Sequence, residues 1–332
     1  MDYHELFKQN RIMNFEKYLK TYIDKESYEI LDYADIYTKP SKSHRFISTD
    51  TNRFNDLTED WEHSKRILRK EFDSNWLDDF VKPRFEITFN WYKENPISYK
   101  LNQQLFRSDE FSTEEPGNVF LGCSDTFGVG HNLEHTWPYV LTELAFKGDK
   151  IYNLAVPGSG PDTAFRLLDF YKNKLNIKNI FHWLPFRLRY EYYIGDDSGK
   201  RPGYVTVKKN NKEYQYQYGF QTIVPHLEDS GSIFADEFIK NGLTSDTFLA
   251  INYLKNIRAI KSIADELGVN YHVMNFDTSV EKNDYMREVS EYFTKNNVPH
   301  HLLARDFSHS VLADYKKVMA MFLESHKRNL HL

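Results

Sequence analysis

From about residue 117 onward, short apolar segments alternate with longer amphipathic ones, and this alternation limits the folds open to the chain. The apolar runs have the length and composition of buried strands and fall at 118–122, 150–154, 179–184, 271–276 and 299–304. Between and after them, apolar residues recur at helical spacing over 136–146, 161–175, 246–267, 284–296 and 311–325. Strands that alternate with helices favour a parallel sheet covered on both faces. The sequence therefore predicts an α/β domain.

The remaining segments divide the chain further. Residues 1–95 are polar with apolar positions at roughly helical spacing, and we expect a mostly helical N-terminal extension there. Residues 96–332 would form the α/β domain, interrupted by an insertion at about 195–245. Within that insertion, residues 204–218 alternate in polarity around Asn210-Asn211, which predicts a β-hairpin.

Composition excludes several classes of protein. The net charge is −5 and no basic stripe is present, which argues against nucleic-acid binding. The single cysteine, Cys123, allows neither an internal disulfide nor a cysteine-based zinc site. The first thirty residues lack the apolar run of a signal peptide, and no window approaches the roughly 18 apolar residues of a membrane span. We expect a cytoplasmic protein without a membrane span, although incorporation into a larger particle would leave no trace in the sequence.

Three of the predicted strands end in residues that can carry chemistry. Ser124 follows the first strand in Gly-Cys-Ser-Asp-Thr-Phe-Gly, and Gly158 follows the second in Asn-Leu-Ala-Val-Pro-Gly-Ser-Gly. Asp306 and His309 follow the last predicted strand in Arg-Asp-Phe-Ser-His. Open parallel sheets bind their ligands beyond the carboxyl ends of the strands, so these residues are expected to share one cleft.

These residue types fit acyl chemistry. A serine at a helix N-terminus lies near backbone N–H groups that stabilise a developing oxyanion, and the N–H of Gly158 can point into the same cleft. Asp306 lies one turn from His309 and can fix the imidazole tautomer while the other ring nitrogen faces Ser124.

The three segments, in this order, resemble the first, second and last sequence blocks of the SGNH (GDSL-like) hydrolases. The resemblance implies a three-layer α/β/α flavodoxin-like fold and metal-free, cofactor-free hydrolysis of a carboxylic ester by a Ser124–His309–Asp306 triad. It also implies an oxyanion hole made by the N–H groups of Ser124 and Gly158 and by an asparagine side chain. The expected substrate is a small-molecule or carbohydrate ester, with a carbohydrate O-acetyl group among the candidates.

The chain departs from this family pattern at the third strand. The family's Gly-x-Asn-Asp block is replaced by residues 180–189, Ile-Phe-His-Trp-Leu-Pro-Phe-Arg-Leu-Arg, which contain no asparagine. Arg187 or His182 could donate in its place. The departure leaves two alternatives open: a catalytically weak or silent SGNH-like module used for binding or assembly, and an acyltransferase that uses the same triad.

Two other motifs suggest alternative catalytic or metal sites, and both are weaker signals than the three segments above. Asp60-Trp-Glu-His63 repeats the Asp-x-x-His spacing but lies in a helical pattern before the nucleophile strand, where a solvent-facing role is expected. His131-Asn-Leu-Glu134-His135 has the spacing of a zinc-protease motif. Its neighbouring glycines and Pro138 predict a loop or helix start rather than the helical face that such a zinc site needs. We therefore predict no metal site.

Overall fold

The computed structural model describes residues 50–69, 72, 74–185, 189–194, 204–209, 212–217, 219–223, 245–275, 291–296, 298–299, 302–305 and 312–329. The chain divides into two compact units. The larger unit comprises Thr38–Tyr192 and Gln221–Leu332, and the smaller unit comprises Met1–Tyr37 and Tyr193–Phe220.

Strands and helices alternate through the larger unit. The strands of the described residues are β1 Pro116–Leu121, β2 Lys150–Asn153, β3 Asn176–Leu184, β4 Tyr190–Ile194, β5 Tyr204–Lys209, β6 Lys212–Gln217, β7 Gly219–Ile223 and β8 Asn270–Asn275. The α-helices are α1 Trp61–Leu68, α2 Lys82–Glu94, α3 Ser124–Phe127, α4 Trp137–Ala145, α5 Pro161–Tyr171, α6 Asp246–Leu267 and α7 Leu312–Asn329. A π-helical segment, Trp76–Val81, runs into α2, and a 3₁₀ turn, Leu133–His135, precedes α4. None of the described helices is long and apolar enough to cross a membrane.

A four-stranded parallel sheet forms the centre of the larger unit, in the order β2-β1-β3-β8. In β1, every residue from Gly117 to Leu121 is buried, so both faces of this strand are covered, as is usual for parallel sheets. The predicted α/β class with a parallel sheet is therefore confirmed.

Aromatic residues build the core on one face of this sheet. Phe120 of β1 lies 5.2 Å from the Trp137 ring of α4, and Phe181 of β3 lies 5.4 Å from the Phe322 ring of α7. Trp137 stacks on Phe322 at 5.0 Å and so joins the two helices. Elsewhere, α5 and α6 pack against each other, and α6 also contacts β8.

The strand predicted at 299–304 is wrong for its described residues, since 302–304 adopt no strand structure. Their backbone groups bind elsewhere: the Leu303 N–H donates to Thr88 Oγ1 at 3.2 Å, and the Leu303 carbonyl accepts from the Tyr92 hydroxyl at 3.1 Å. Because both partners belong to α2, this segment is held by a helix rather than by the edge of the sheet.

Helical residues upstream of β1 cover the same segment. Seven buried residues form a cluster that includes Leu303, namely Leu57, Leu68, Leu77, Val81, Phe85, Phe89 and Leu303. The described residues between 50 and 94 therefore belong to the larger unit.

The smaller unit contains the hairpin. β5 and β6 pair antiparallel, from Tyr204 opposite Gln217 to Lys209 opposite Lys212, which confirms the predicted hairpin strands. The turn residues Asn210 and Asn211 lie outside the described residues. Separately from the hairpin and from the parallel sheet, β4 pairs with β7 in a two-stranded sheet.

Candidate functional site

Ser124 is the first residue of α3 and is separated from the end of β1 by Gly122 and Cys123. The turn between them requires Gly122, whose φ is +155° and whose Cβ, if present, would clash with the Thr126 side chain. Ser124 is buried, with 6% of its surface exposed, and its Oγ lies 3.8 Å from Cys123 Sγ. The serine therefore stands at the carboxyl edge of the sheet, at the start of a helical turn.

A buried arginine holds the end of this turn. Gly128 adopts a left-handed conformation with φ +81°, and its N–H donates to the Ser124 carbonyl at 2.8 Å. Arg107 donates from Nη1 to the Gly128 carbonyl at 2.5 Å and from Nη2 to the His131 carbonyl at 2.8 Å. Burial lowers the pKa of the Arg107 guanidinium. The guanidinium thus joins the carbonyl at the C-terminal end of α3 to the His131 carbonyl in the loop that follows, which holds the serine loop together.

The loop after β2 lies against the serine loop. Asn153 donates from Nδ2 to the Thr126 carbonyl at 2.9 Å, and Ser159 Oγ donates to the Gly122 carbonyl at 3.1 Å. Gly158, between these two contacts in sequence, has φ +77°, which favours glycine. The structure thus brings the loops of Ser124 and Gly158 together at the ends of neighbouring strands.

Asp306 and His309 lie outside the described residues, but the residues that flank them are described. On the N-terminal side, the Arg305 N–H donates to the Gly130 carbonyl at 2.8 Å. On the C-terminal side, the Tyr315 hydroxyl of α7 donates to the Asp125 carbonyl at 2.9 Å. Both flanks therefore contact the segment that begins at Ser124.

A buried ion pair fixes the N-terminal flank. Arg305 Nη2 lies 2.5 Å from Asp50 Oδ2, and both side chains are almost fully buried. The Tyr99 hydroxyl donates to the same carboxylate at 2.7 Å and accepts from the Gly130 N–H at 2.8 Å. Burial raises the pKa of Tyr99, and the Asp50 charge adds to this effect. Sequence reasoning missed Asp50 and Tyr99 because no local pattern marks the partner of a distant arginine.

The residues around the end of β3 differ from the expected oxyanion donors. Arg187 lies outside the described residues. His182 lies inside β3, its Nδ1 is 2.9 Å from the Tyr271 hydroxyl, and burial lowers its pKa to about 3. Arg189, which was not predicted, places Nη1 2.8 Å from the Ser159 carbonyl.

The alternative zinc motif, His131 to His135, lacks the α-helical geometry that such a zinc site needs. Residues Leu133–His135 form a 3₁₀ turn rather than an α-helix, and His131 Nδ1 lies 3.3 Å from the Tyr92 hydroxyl. Across the part of the chain that the structure describes, no group of three histidine, cysteine, aspartate or glutamate side chains is arranged to hold a metal ion.

The sequence matches no protein-family model, and no curated protein matches it at a significant level.

Proposed function

We propose that this chain is a serine esterase of the SGNH (GDSL-like) type, with a three-layer flavodoxin-like α/β/α domain. Ser124 is the nucleophile, His309 the general base and Asp306 the residue that orients the imidazole. The proposal rests on the three sequence blocks and on the position of Ser124 where β1 meets α3. The substrate is a carboxylic ester, and a carbohydrate O-acetyl group is included in that class.

The observation that carries the proposal is the contact of both flanks of residues 306–311 with the Ser124 segment. Arg305 is bound through its backbone to Gly130, and Tyr315 is bound to Asp125, the neighbour of Ser124. Only a short stretch of chain connects these two anchored points. A triad assembled from Ser124, Asp306 and His309 is therefore compatible with the reach of the chain.

The reaction follows the chemistry of a triad. The Ser124 oxygen attacks the ester carbonyl carbon while its proton passes to His309. The tetrahedral intermediate collapses, the carbon–oxygen bond to the alcohol breaks, and His309 returns the proton to the leaving alcohol. Water then attacks the acyl-serine with His309 again as base, which releases the acid and restores the serine. Asp306 remains ionised and stabilises the imidazolium at each stage.

Two backbone N–H groups, those of Ser124 and Gly158, are the donors that we assign to the oxyanion. The Ser124 N–H belongs to the first turn of α3, where the N–H groups lack helical partners. The hydrogen bond from Ser159 Oγ to the Gly122 carbonyl holds the Gly158 loop beside that turn. Arg187 stays a proposed third donor.

A substitution of the nucleophile tests this function. Ser124→Ala should lower turnover of para-nitrophenyl acetate by roughly 10⁴-fold or more, because the covalent step is lost. The matched control is Ser262→Ala, which removes an exposed hydroxyl of α6 that donates to the Arg258 carbonyl, and it should keep wild-type turnover. Undiminished turnover in Ser124→Ala, with the fold intact by circular dichroism, would contradict the proposal.

A second candidate is a catalytically silent module for binding or assembly. It is favoured by the missing asparagine after β3 and by the low exposure of Ser124. Removing one oxyanion donor typically costs about 10²–10³ in rate, so an unfilled third position would leave a weak enzyme. An acyltransferase would use the same triad and differs only in the acceptor of the acyl group. Hydrolysis below 10⁻³ of an ordinary esterase rate would favour the silent module.

A further inference from the structure

Arg189 lies beside the candidate site without a charged partner among the described residues. Its Nη1 donates to the Ser159 carbonyl at 2.8 Å, next in sequence to Gly158. Its Nε is buried and has no hydrogen-bond partner in the described part of the chain. A guanidinium has five N–H donors, and an unused buried donor is costly unless a ligand binds it.

Glu191, two residues after Arg189, and Asp162, which accepts from the Glu191 N–H at 3.3 Å, both have other side-chain partners. Glu191 forms a buried pair with Arg166, at 2.8 Å from Nε to Oε1, and also accepts from Thr163 Oγ1. Asp162 accepts hydrogen bonds from the side-chain amides of Asn252 and Asn256, each at 2.9 Å or less. Both acidic groups have partners other than Arg189, and no carboxylate of the described residues forms an ion pair with its guanidinium.

The position of Arg189 links this charge to the nucleophile. The Tyr253 hydroxyl of α6 accepts a hydrogen bond from the Arg189 backbone. Ser159, which accepts from the guanidinium, also donates to the Gly122 carbonyl of the serine loop at 3.1 Å. The arginine thus joins the same loop cluster as Ser124, on the side of β3. Arg189 also packs closely against Gly160. A Cβ added at residue 160 would lie 3.1 Å from the Arg189 Cβ and 3.5 Å from the Arg189 carbonyl oxygen.

We propose that Arg189 binds an anionic group of the substrate, so that the esterase acts on esters that carry a carboxylate or phosphate near the scissile bond. This inference rests on the proposed esterase function. A planar guanidinium binds such a group through paired charge-assisted hydrogen bonds, and a half-buried position strengthens them. An O-acetylated acidic sugar is one substrate of this class.

Matched ester pairs test the inference. The neutral esters are phenyl acetate and para-nitrophenyl butyrate, and their anionic counterparts are para-acetoxybenzoate and para-nitrophenyl hemisuccinate. Arg189→Ala should reduce the ratio of kcat/KM for anionic over neutral ester by about 10- to 100-fold in at least one pair, mainly through KM. Arg189→Lys should recover part of the ratio. The control, Arg258→Ala, removes an exposed cation of α6 and should leave the ratio unchanged.

Two outcomes would overturn the inference. An unchanged ratio in Arg189→Ala would show that the arginine does not recognise a fixed charge. An equal loss of kcat for both members of each pair would instead assign Arg189 to the oxyanion.

Failure of the esterase function is separated from failure of the anion site by a binding measurement. Calorimetric titration of Ser124→Ala with benzoate and succinate should show binding that is lost in Ser124→Ala/Arg189→Ala. If no ester is hydrolysed by the wild type but this binding is present, the anion site stands without the esterase. If neither anion binds, the inference fails whatever the esterase activity.

Discussion

At the scale of single residues, the buried pair of Asp50 and Arg305 is the clearest link between distant parts of the chain. Both side chains are almost fully buried, and the arginine precedes Asp306 directly. A buried pair adds little net stability by itself, but removing one partner leaves a buried charge without compensation. The pair therefore positions the segment that leads into the proposed Asp306 and His309.

Asp50→Asn tests this link. We expect a loss of about 3–5 kcal/mol in the free energy of unfolding, because Arg305 keeps its charge and loses its partner. The matched control is Glu59→Gln, which breaks an exposed pair with Lys93 and should leave the free energy of unfolding nearly unchanged, because solvent screens the pair. Urea denaturation measures both variants. Equal small losses would show that Arg305 is not held by Asp50.

Prediction from sequence succeeds at this scale only where the signal is local. The position of Ser124 shortly after a strand could be predicted because the apolar run before it is a local signal, while its role as nucleophile stays a prediction. Asp50 could not be paired with Arg305, because 255 positions separate them and either could have been a surface charge. Arg189 carries no local signal, because its hydrogen bond to the Ser159 carbonyl joins residues that are 30 positions apart.

At the scale of elements, the loop after α3 carries the contact between the serine segment and residues 304–305. Gly130 has φ +76°, and its carbonyl accepts from the Arg305 N–H at 2.8 Å. A Cβ at this position would lie 2.9 Å from both the Ala304 Cβ and the Arg305 N. The loop can approach the segment this closely only because residue 130 has no side chain.

Gly130→Ala should therefore destabilise the protein more than a glycine substitution in open space. The matched control is Gly268→Ala at the end of α6, where φ is +67° and a Cβ would meet no atom within 4 Å. Both substitutions place an alanine at a positive φ, which lowers the free energy of unfolding in each variant. Gly130→Ala should lower it further, by about 1–3 kcal/mol, because the added methyl group overpacks the contact. Thermal unfolding monitored by circular dichroism compares them. The close contact would be contradicted if the two variants were equally stable.

Most elements could be predicted because their periodicity is strong. The central strands β1 and β3 contain buried apolar runs, and burial on both faces makes such runs visible in a sequence. The strand predicted at 299–304 was wrong because an apolar run indicates that a segment is buried but does not indicate which groups its backbone binds. There, side chains of α2 take the place of a neighbouring strand.

At the scale of the whole molecule, two buried histidines make the free energy of unfolding depend on pH. Burial lowers the pKa of His182 to about 3 and that of His272 to about 4. An unfolded histidine takes up a proton near pH 6.5. Between these values the unfolded state binds more protons than the folded state, so stability is retained above pH 6.5 and is lost as pH falls below it.

We therefore expect the free energy of unfolding to fall between pH 6.5 and pH 4, by about 1.4 kcal/mol per pH unit for each such histidine. His182→Gln should reduce this slope by about 1.4 kcal/mol per pH unit, because the unfolded variant takes up one proton fewer. This change in slope is expected whatever the effect of the substitution on stability at neutral pH. Urea denaturation across this pH range measures the slope. A slope that His182→Gln does not change would contradict the neutral, buried state of His182.

The most direct test of the central claim is covalent labelling of the nucleophile. The protein is treated with a fluorophosphonate probe and digested, and the labelled peptide is identified by mass spectrometry. We predict one label on Ser124, abolished in Ser124→Ala and retained in Ser262→Ala, because only an activated serine displaces fluoride from such a probe. A label on another residue, or none on the folded protein, would contradict the assignment of Ser124 as an esterase nucleophile.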